Sequence, residues 1–162
     1  MVDMTARQLA DLIDAHAAAL VLFARQWCTA PEDVVQTSFC KLAAQSTAPD
    51  DPVAWLYRVV RNAALDAGKA ERRRQRREAA AARPVRWFDN QVVDGLDAAS
   101  AVAALESLPT EQREVIVGRL WGGLTLKEVA AVVGCSVSSA HRRFEAGIAA
   151  LRERLGVPCP KN

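Results

Sequence analysis

The stretch from Thr125 to Phe144 narrows the possible folds of this chain more than any other, because start and stop signals for two short helices follow one another there with almost nothing between them. Thr125-Leu126-Lys127-Glu128 reads as a capping box: the threonine hydroxyl accepts from the backbone three residues on, and the glutamate reaches back to the cap. Val129, Ala130, Val132 and Val133 give the short helix that follows an apolar side. Gly134 supplies the positive φ that a tight turn needs, and Ser136 is placed to cap a second helix running to about Leu155. Two capped helices across a glycine turn make a helix-turn-helix. The small Ala130 suits the close approach of the two helices, and Val137, Ala140 and Phe144 are expected on the inner face of the second. Ser138, Ser139, His141, Arg142 and Arg143 then fall on its outward or flanking faces, beside the capping Ser136. Such a helix can enter a DNA major groove N-terminus first: hydroxyls take phosphate oxygens and an arginine reads guanine. The plainer alternative is a helical hairpin with a solvated basic face.

Helical periodicity runs through the rest of the chain. Leu9, Leu12, Ile13, Leu20, Phe23 and Trp27 recur at helical spacing, with His16 on the same stripe. Thr29-Ala30-Pro31-Glu32 reads as a capping box opening a helix to about Ala44, lined by Val35, Phe39 and Leu42. After the polar loop 45–51, Asp51 caps and Pro52 begins a third helix, with Trp55, Leu56, Val59, Val60 and Ala63 inward. It continues into the basic run around Lys69, Arg72 and Arg73. Leu108-Pro109 opens a helix through Val115, Ile116 and Leu120 that stops at Gly122-Gly123. Hydrophobic residues are 51% of the chain and aromatics only 6%, a mix that supports packed helices more than a sheet. The expected architecture is all-α: a helical bundle over 5–78, an acidic, Ala-rich tether over 79–104 with at most short helices, and a helix-turn-helix domain over 105–156.

The net charge of +2 conceals an uneven distribution. Basic residues dominate 68–88, and the stretch from Asp89 to Gln112 carries acids and no base. A short cationic block beside acidic surfaces points to local contact with a polyanion. Here it extends a helix that already shows Arg58, Arg61 and Asn62, so successive turns can follow a phosphate backbone. Tyr57 and Trp55 are available for base stacking, Trp55 more naturally as core.

Enzyme chemistry finds little support. The chain has no glycine-rich phosphate loop and no HExxH, and its histidines, His16 and His141, belong to different segments. Cys28, Cys40, Cys135 and Cys159 form no CxxC pair, which reads as reduced thiols; His16, Cys28 and Cys40 recur at even intervals but lack the close-spaced pair that zinc sites use. No cofactor or metal is expected. The N-terminus shows no signal-peptide pattern and no stretch suits a membrane span, so a soluble cytoplasmic protein without membrane insertion is expected.

Taken in order, these pieces resemble the extracytoplasmic-function group of bacterial RNA polymerase sigma factors. The segment from Pro31 to Phe39, PEDVVQTSF, resembles the family's EDLVQETF. The segment from Asp51 to Asn62, DPVAWLYRVVRN, resembles its AWLYRIARN, and the one from Leu108 to Val115, LPTEQREV, resembles the LPxxxREV opening of the promoter-reading domain. Gly134 to Phe144 matches the pattern of that domain's recognition helix. The resemblance covers roughly 9–77 and 105–155 and implies an alternative sigma factor that brings core polymerase to promoters and helps melt them. It implies docking of Asp33, Gln36 and Phe39, with Glu32, on the clamp helices of the polymerase large subunit. It places loop 45–51 with Arg58, Arg61 and Asn62 at the upstream melted element, and Lys69, Arg72 and Arg73 on the backbone. The helix-turn-helix would read a second element as duplex DNA. The tether would either mimic nucleic acid inside the polymerase or simply solvate a spacer, and an anti-sigma factor often accompanies the family. Thr37 stands where the family has Glu, and His141 and Arg142 where it has Lys and Ser. The competing expectations are a stand-alone helix-turn-helix regulator, which leaves the Asp33 and Trp55–Asn62 segments unexplained, and a degenerate decoy that occupies polymerase without initiating.

Overall fold

The computed structural model describes residues 4–78 and 96–156. Among them are seven α-helices and no strand: α1 (Ala6–Ala24), α2 (Pro31–Ala43), α3 (Pro52–Glu78), α4 (Leu96–Glu106), α5 (Thr110–Leu120), α6 (Leu126–Val133) and α7 (Val137–Leu155). Of the tether expected over 79–104, residues 79–95 lie outside the described residues, as does Cys159.

Local sequence signals account for most helix ends. Thr5 and Gln8 form a full capping box on α1, and Asp51 Oδ1 accepts from the Ala54 amide at 2.9 Å to start α3. Thr125 and Glu128 close the expected box on α6, and those cap hydrogen bonds, led by the one from the Thr125 backbone, hold the Glu128 carboxyl below its usual range. Gly134 ends α6 at φ 75°, and the Ser136 hydroxyl accepts from the Ser139 amide at 3.1 Å to begin α7. One cap differs from expectation. Thr29 does not cap α2; Ala30 is the N-cap and makes no side-chain bond. The proline explains it: the residue before Pro31 is pushed out of the helical region, so the helix starts at Pro31 and the box falls out of register. Glu32 turns instead to Arg25, 2.9 Å away, whose guanidinium lowers the carboxyl's pKa.

The eleven-residue α4 begins inside the stretch expected to be tether. It packs on α7, and its end is tied down by Arg113, which donates to the Glu106 carbonyl at 3.0 Å and to Thr110 Oγ1 at 3.3 Å. Leu105, Leu108 and Ile116 form one buried cluster there, with Phe144, Ala150 and Leu151 against it.

The larger core joins the two halves. Leu20, Phe23, Val35, Phe39, Leu42, Leu56, Tyr57 and Val60 from α1–α3 share one cluster with Val115, Val117, Leu124 and Val129 from α5, α6 and the turn between them. The contacts responsible are α1 with α5 and α3 with α6. α7 lies on the far side, packed on α5, α6 and α4.

Candidate nucleic-acid interface

The recognition helix α7 is held by its inner face. Ala140 is fully buried and Phe144 is half-buried against both cores. Ser138, His141 and Arg142 are exposed on the other side. A short polar chain runs along this surface: Ser136 Oγ donates to Ser139 Oγ at 2.9 Å, and Arg142 Nη2 donates to Ser139 Oγ at 3.4 Å. Arg143 stands apart from its neighbour. Its Nη2 is 2.9 Å from Glu111 of α5 and only 28% of its side chain is exposed, so part of its charge is already answered within the chain.

Val137 departs from its helical phase. Expected on the inner face, it is 50% exposed. The first turn of α7 stands clear of the core, where burial begins only at Ala140, so helical phase alone misplaces it. An exposed apolar side chain there suits contact with a thymine methyl group. Lys127 and Arg119 are exposed cations flanking the same motif that no sequence pattern singles out. Their lone positions, away from any charge run, give no signal.

On α3, Arg58 and Asn62 are exposed, as are Lys69, Arg72 and Arg73 further along. The helix has 27 residues and is therefore about 40 Å long. Its basic end carries intrahelical pairs, Lys69 with Asp66 at 3.4 Å and Arg74 with Glu71 at 2.7 Å. Exposed pairs of this kind contribute little and exchange readily for phosphate. Arg61 differs from the other expected contacts: it is turned into the joint between the halves, its Nη2 within 3.3 Å of Glu114. Tyr57, expected to be available for stacking, is fully buried, and burial drives its phenol pKa far upward. Trp55 is half-buried, nearer the core role expected for it.

The expected docking residues come together on α2. Glu32, Asp33 and Gln36 are exposed, whereas Phe39 is 6% exposed and belongs to the core. Glu32, Gln36 and Phe39 also line an apolar groove of about 370 Å³ between α1 and α2, together with Ile13, Val35 and Cys40.

Among the described residues no group of three or more His, Cys, Asp or Glu side chains is arranged to hold a metal ion, and no helix is long and apolar enough to cross a membrane. Cys40 is exposed and Cys135 half-buried; Cys28 is buried, which raises its thiol pKa, and its Sγ lies 3.5 Å from the Ala24 carbonyl. A raised pKa means less thiolate at neutral pH. Brief iodoacetamide treatment followed by peptide mapping is expected to label Cys40 first and Cys28 only after denaturation. Equal rates at the two would contradict the packing around α2.

Comparison with known proteins agrees with this geometry. Residues 12–78 match the family profile for Sigma-70 region 2, and residues 99–151 that for Sigma-70, region 4. No curated protein matches the chain. Among solved structures, the sigma factor RpoE of Bartonella quintana, in complex with the anti-sigma factor NepR, is similar with a TM-score of 0.68 and 25% identity, over 93% of this chain and 97% of that one. CnrH, in complex with the cytosolic domain of CnrY, is similar with a TM-score of 0.60 and 28% identity, over 96% of this chain and 92% of that one. With both promoter-related regions present, in order, on a fold shared with such factors, the chain belongs to the sigma-70 family as an extracytoplasmic-function member, an alternative sigma factor of transcription initiation.

Proposed function

We propose that the helices of 5–78 grip core polymerase while the two cationic surfaces address separate parts of a promoter, with no catalytic step of the chain's own. Glu32 and Gln36 edge the α1–α2 groove lined by Phe39, and with the exposed Asp33 beside them on α2 they seat on the clamp helices of the large subunit. Arg58 and Asn62, with Arg61 once exposed, meet the upstream melted element beside loop 45–51, and Lys69, Arg72 and Arg73 follow the backbone by charge. The helix-turn-helix domain, with α4 packed on it, reads duplex DNA through Ser136, Ser138, Ser139, His141, Arg142 and Arg143, and the chain ahead of α4 tethers the two halves. The observation that carries this reading is the polarity of α7: Ala140 is sealed against the core while Ser138, His141 and Arg142 stand outward. An anti-sigma partner is supported by the complexes in which both similar structures were solved. The place of work is the cytoplasm, where polymerase and promoters are.

A run-off transcription assay with core enzyme tests the reading. New promoter-dependent transcripts are expected. Duplex binding without polymerase would favour a stand-alone regulator, and polymerase binding without transcripts a decoy. Asp33→Ala combined with Gln36→Ala is expected to weaken association with core polymerase about tenfold or more, a loss of ~1.4 kcal/mol, while circular dichroism stays unchanged. Unaltered co-elution would move the docking surface elsewhere.

A further inference from the structure

α7 carries its side chains on two opposed faces. Ala140 is fully buried, Phe144 is half-buried and Gly147 is buried against Ile116. These three follow one another at four and three residues, so they mark one stripe of the helix. Ser138, Arg142 and Glu145 repeat the same spacing on the other side, and all three are exposed. Glu145 is thus an acid on the face that presents Arg142. It stands about 4.5 Å beyond Arg142 along the axis and about 12 Å from the first residue of α7. That places it in the N-terminal half of a 19-residue helix, the half that enters a major groove.

Nothing in the fold accounts for this carboxylate. Among the described residues no cation lies within ion-pair distance of it: Arg143 pairs with Glu111, and Arg142 leans on Ser139. It is too far from either end of α7 to act on the helix dipole, an effect confined to the terminal turns. Against DNA it is unfavourable unless answered, because a bare carboxylate between two phosphate rows is repelled by both. The base edges decide what can answer it. A carboxylate only accepts hydrogen bonds. Guanine and thymine present carbonyl oxygens where cytosine and adenine present an amine. Adenine adds the N7 acceptor beside its amine, which repels a second carboxylate oxygen and suits an amide better. Cytosine presents its N4 amine with no acceptor beside it on its own edge.

We propose that Glu145 is a specificity-determining residue of α7, whose carboxylate accepts from the N4 amine of one cytosine in the duplex promoter element and turns away guanine and thymine there. The inference rests on α7 reading duplex DNA, and its test separates the two ideas. The full chain with core enzyme transcribes a pool of templates randomised upstream of the start, each barcoded in its transcribed part, and the transcripts are sequenced. The wild type is expected to favour cytosine over guanine or thymine at one position by about tenfold or more. Glu145→Gln is expected to move the preference at that position to adenine, whose N6 and N7 match an amide, with the other positions unaltered. Glu145→Ala should accept all four bases there. Glu153→Gln, on the exposed end of α7, makes the same change of charge and should reproduce the wild-type profile. On one selected template, replacing that cytosine with 2-pyrimidinone deletes only the amine. The wild type should then transcribe it about tenfold less, while Glu145→Ala should not distinguish the two templates. Identical base profiles for the wild type and both Glu145 variants would overturn the inference and leave the side chain a solvated charge. So would a loss of preference spread over every position, which is the mark of a damaged helix. A wild-type pool with no favoured position would instead overturn α7 as the reading helix, and the role of Glu145 with it.

Discussion

Replacing Ile116 with alanine is expected to destabilise the helix-turn-helix half by about 2–5 kcal/mol. Ile116 is fully buried between Leu105 and Leu108 on one side and Phe144 and Leu151 on the other, so it joins α4, α5 and α7. Its side chain fills the space against the α7 backbone: a Cβ on Gly147 would meet Ile116 Cδ1 at 2.5 Å, so truncation removes the contact on which α7 rests there. A chain of this size loses about 2–4 °C of melting temperature per kcal/mol, so calorimetry should show a clear drop. The conservative Ile116→Val should cost only about 0.5–1.5 kcal/mol. Function should divide with structure: near the lowered melting temperature duplex promoter use fails first, while association through α2 persists. An unshifted transition would mean that this cluster does not hold the recognition helix.

Arg142→Ala is expected to reduce promoter use roughly tenfold to a hundredfold, because a bidentate arginine contact is worth about 1–3 kcal/mol of base discrimination. Its guanidinium stands outward, steadied only by Ser139 at 3.4 Å. Arg143→Ala should have the smaller effect, since Arg143 already spends part of its charge on Glu111. Run-off transcription from one promoter ranks the two, and co-elution with core enzyme should be unchanged in both. The reverse ranking would place the base-reading face of α7 about a third of a turn away.

Much of the fold is legible in the residues themselves because it is local. The box at Thr125 and Glu128, the glycine turn and the Ser136 cap each depend on hydrogen bonds spanning three or four residues, so residue type and spacing suffice. The same holds for the Asp51 cap and for the continuation of α3 into the basic run. Local reading fails at Ala30 because two local rules compete and proline's steric rule wins. It fails at Val137 because periodicity gives the direction of a side chain but not where the neighbouring helices end.

Residue order is enough to set the helices, their succession, and the kinds of side chain available to meet polymerase and promoter, since each follows from short-range hydrogen bonding and the 3.6-residue period. Which of those side chains are on offer is a matter of packing in three dimensions. Arg61 and Glu114 are far apart in the chain, and nothing in the sequence pairs the expected DNA contact with this carboxylate. Their meeting depends on how α3 packs against α6 and α1 against α5, through contacts among apolar residues from both halves that no local pattern encodes.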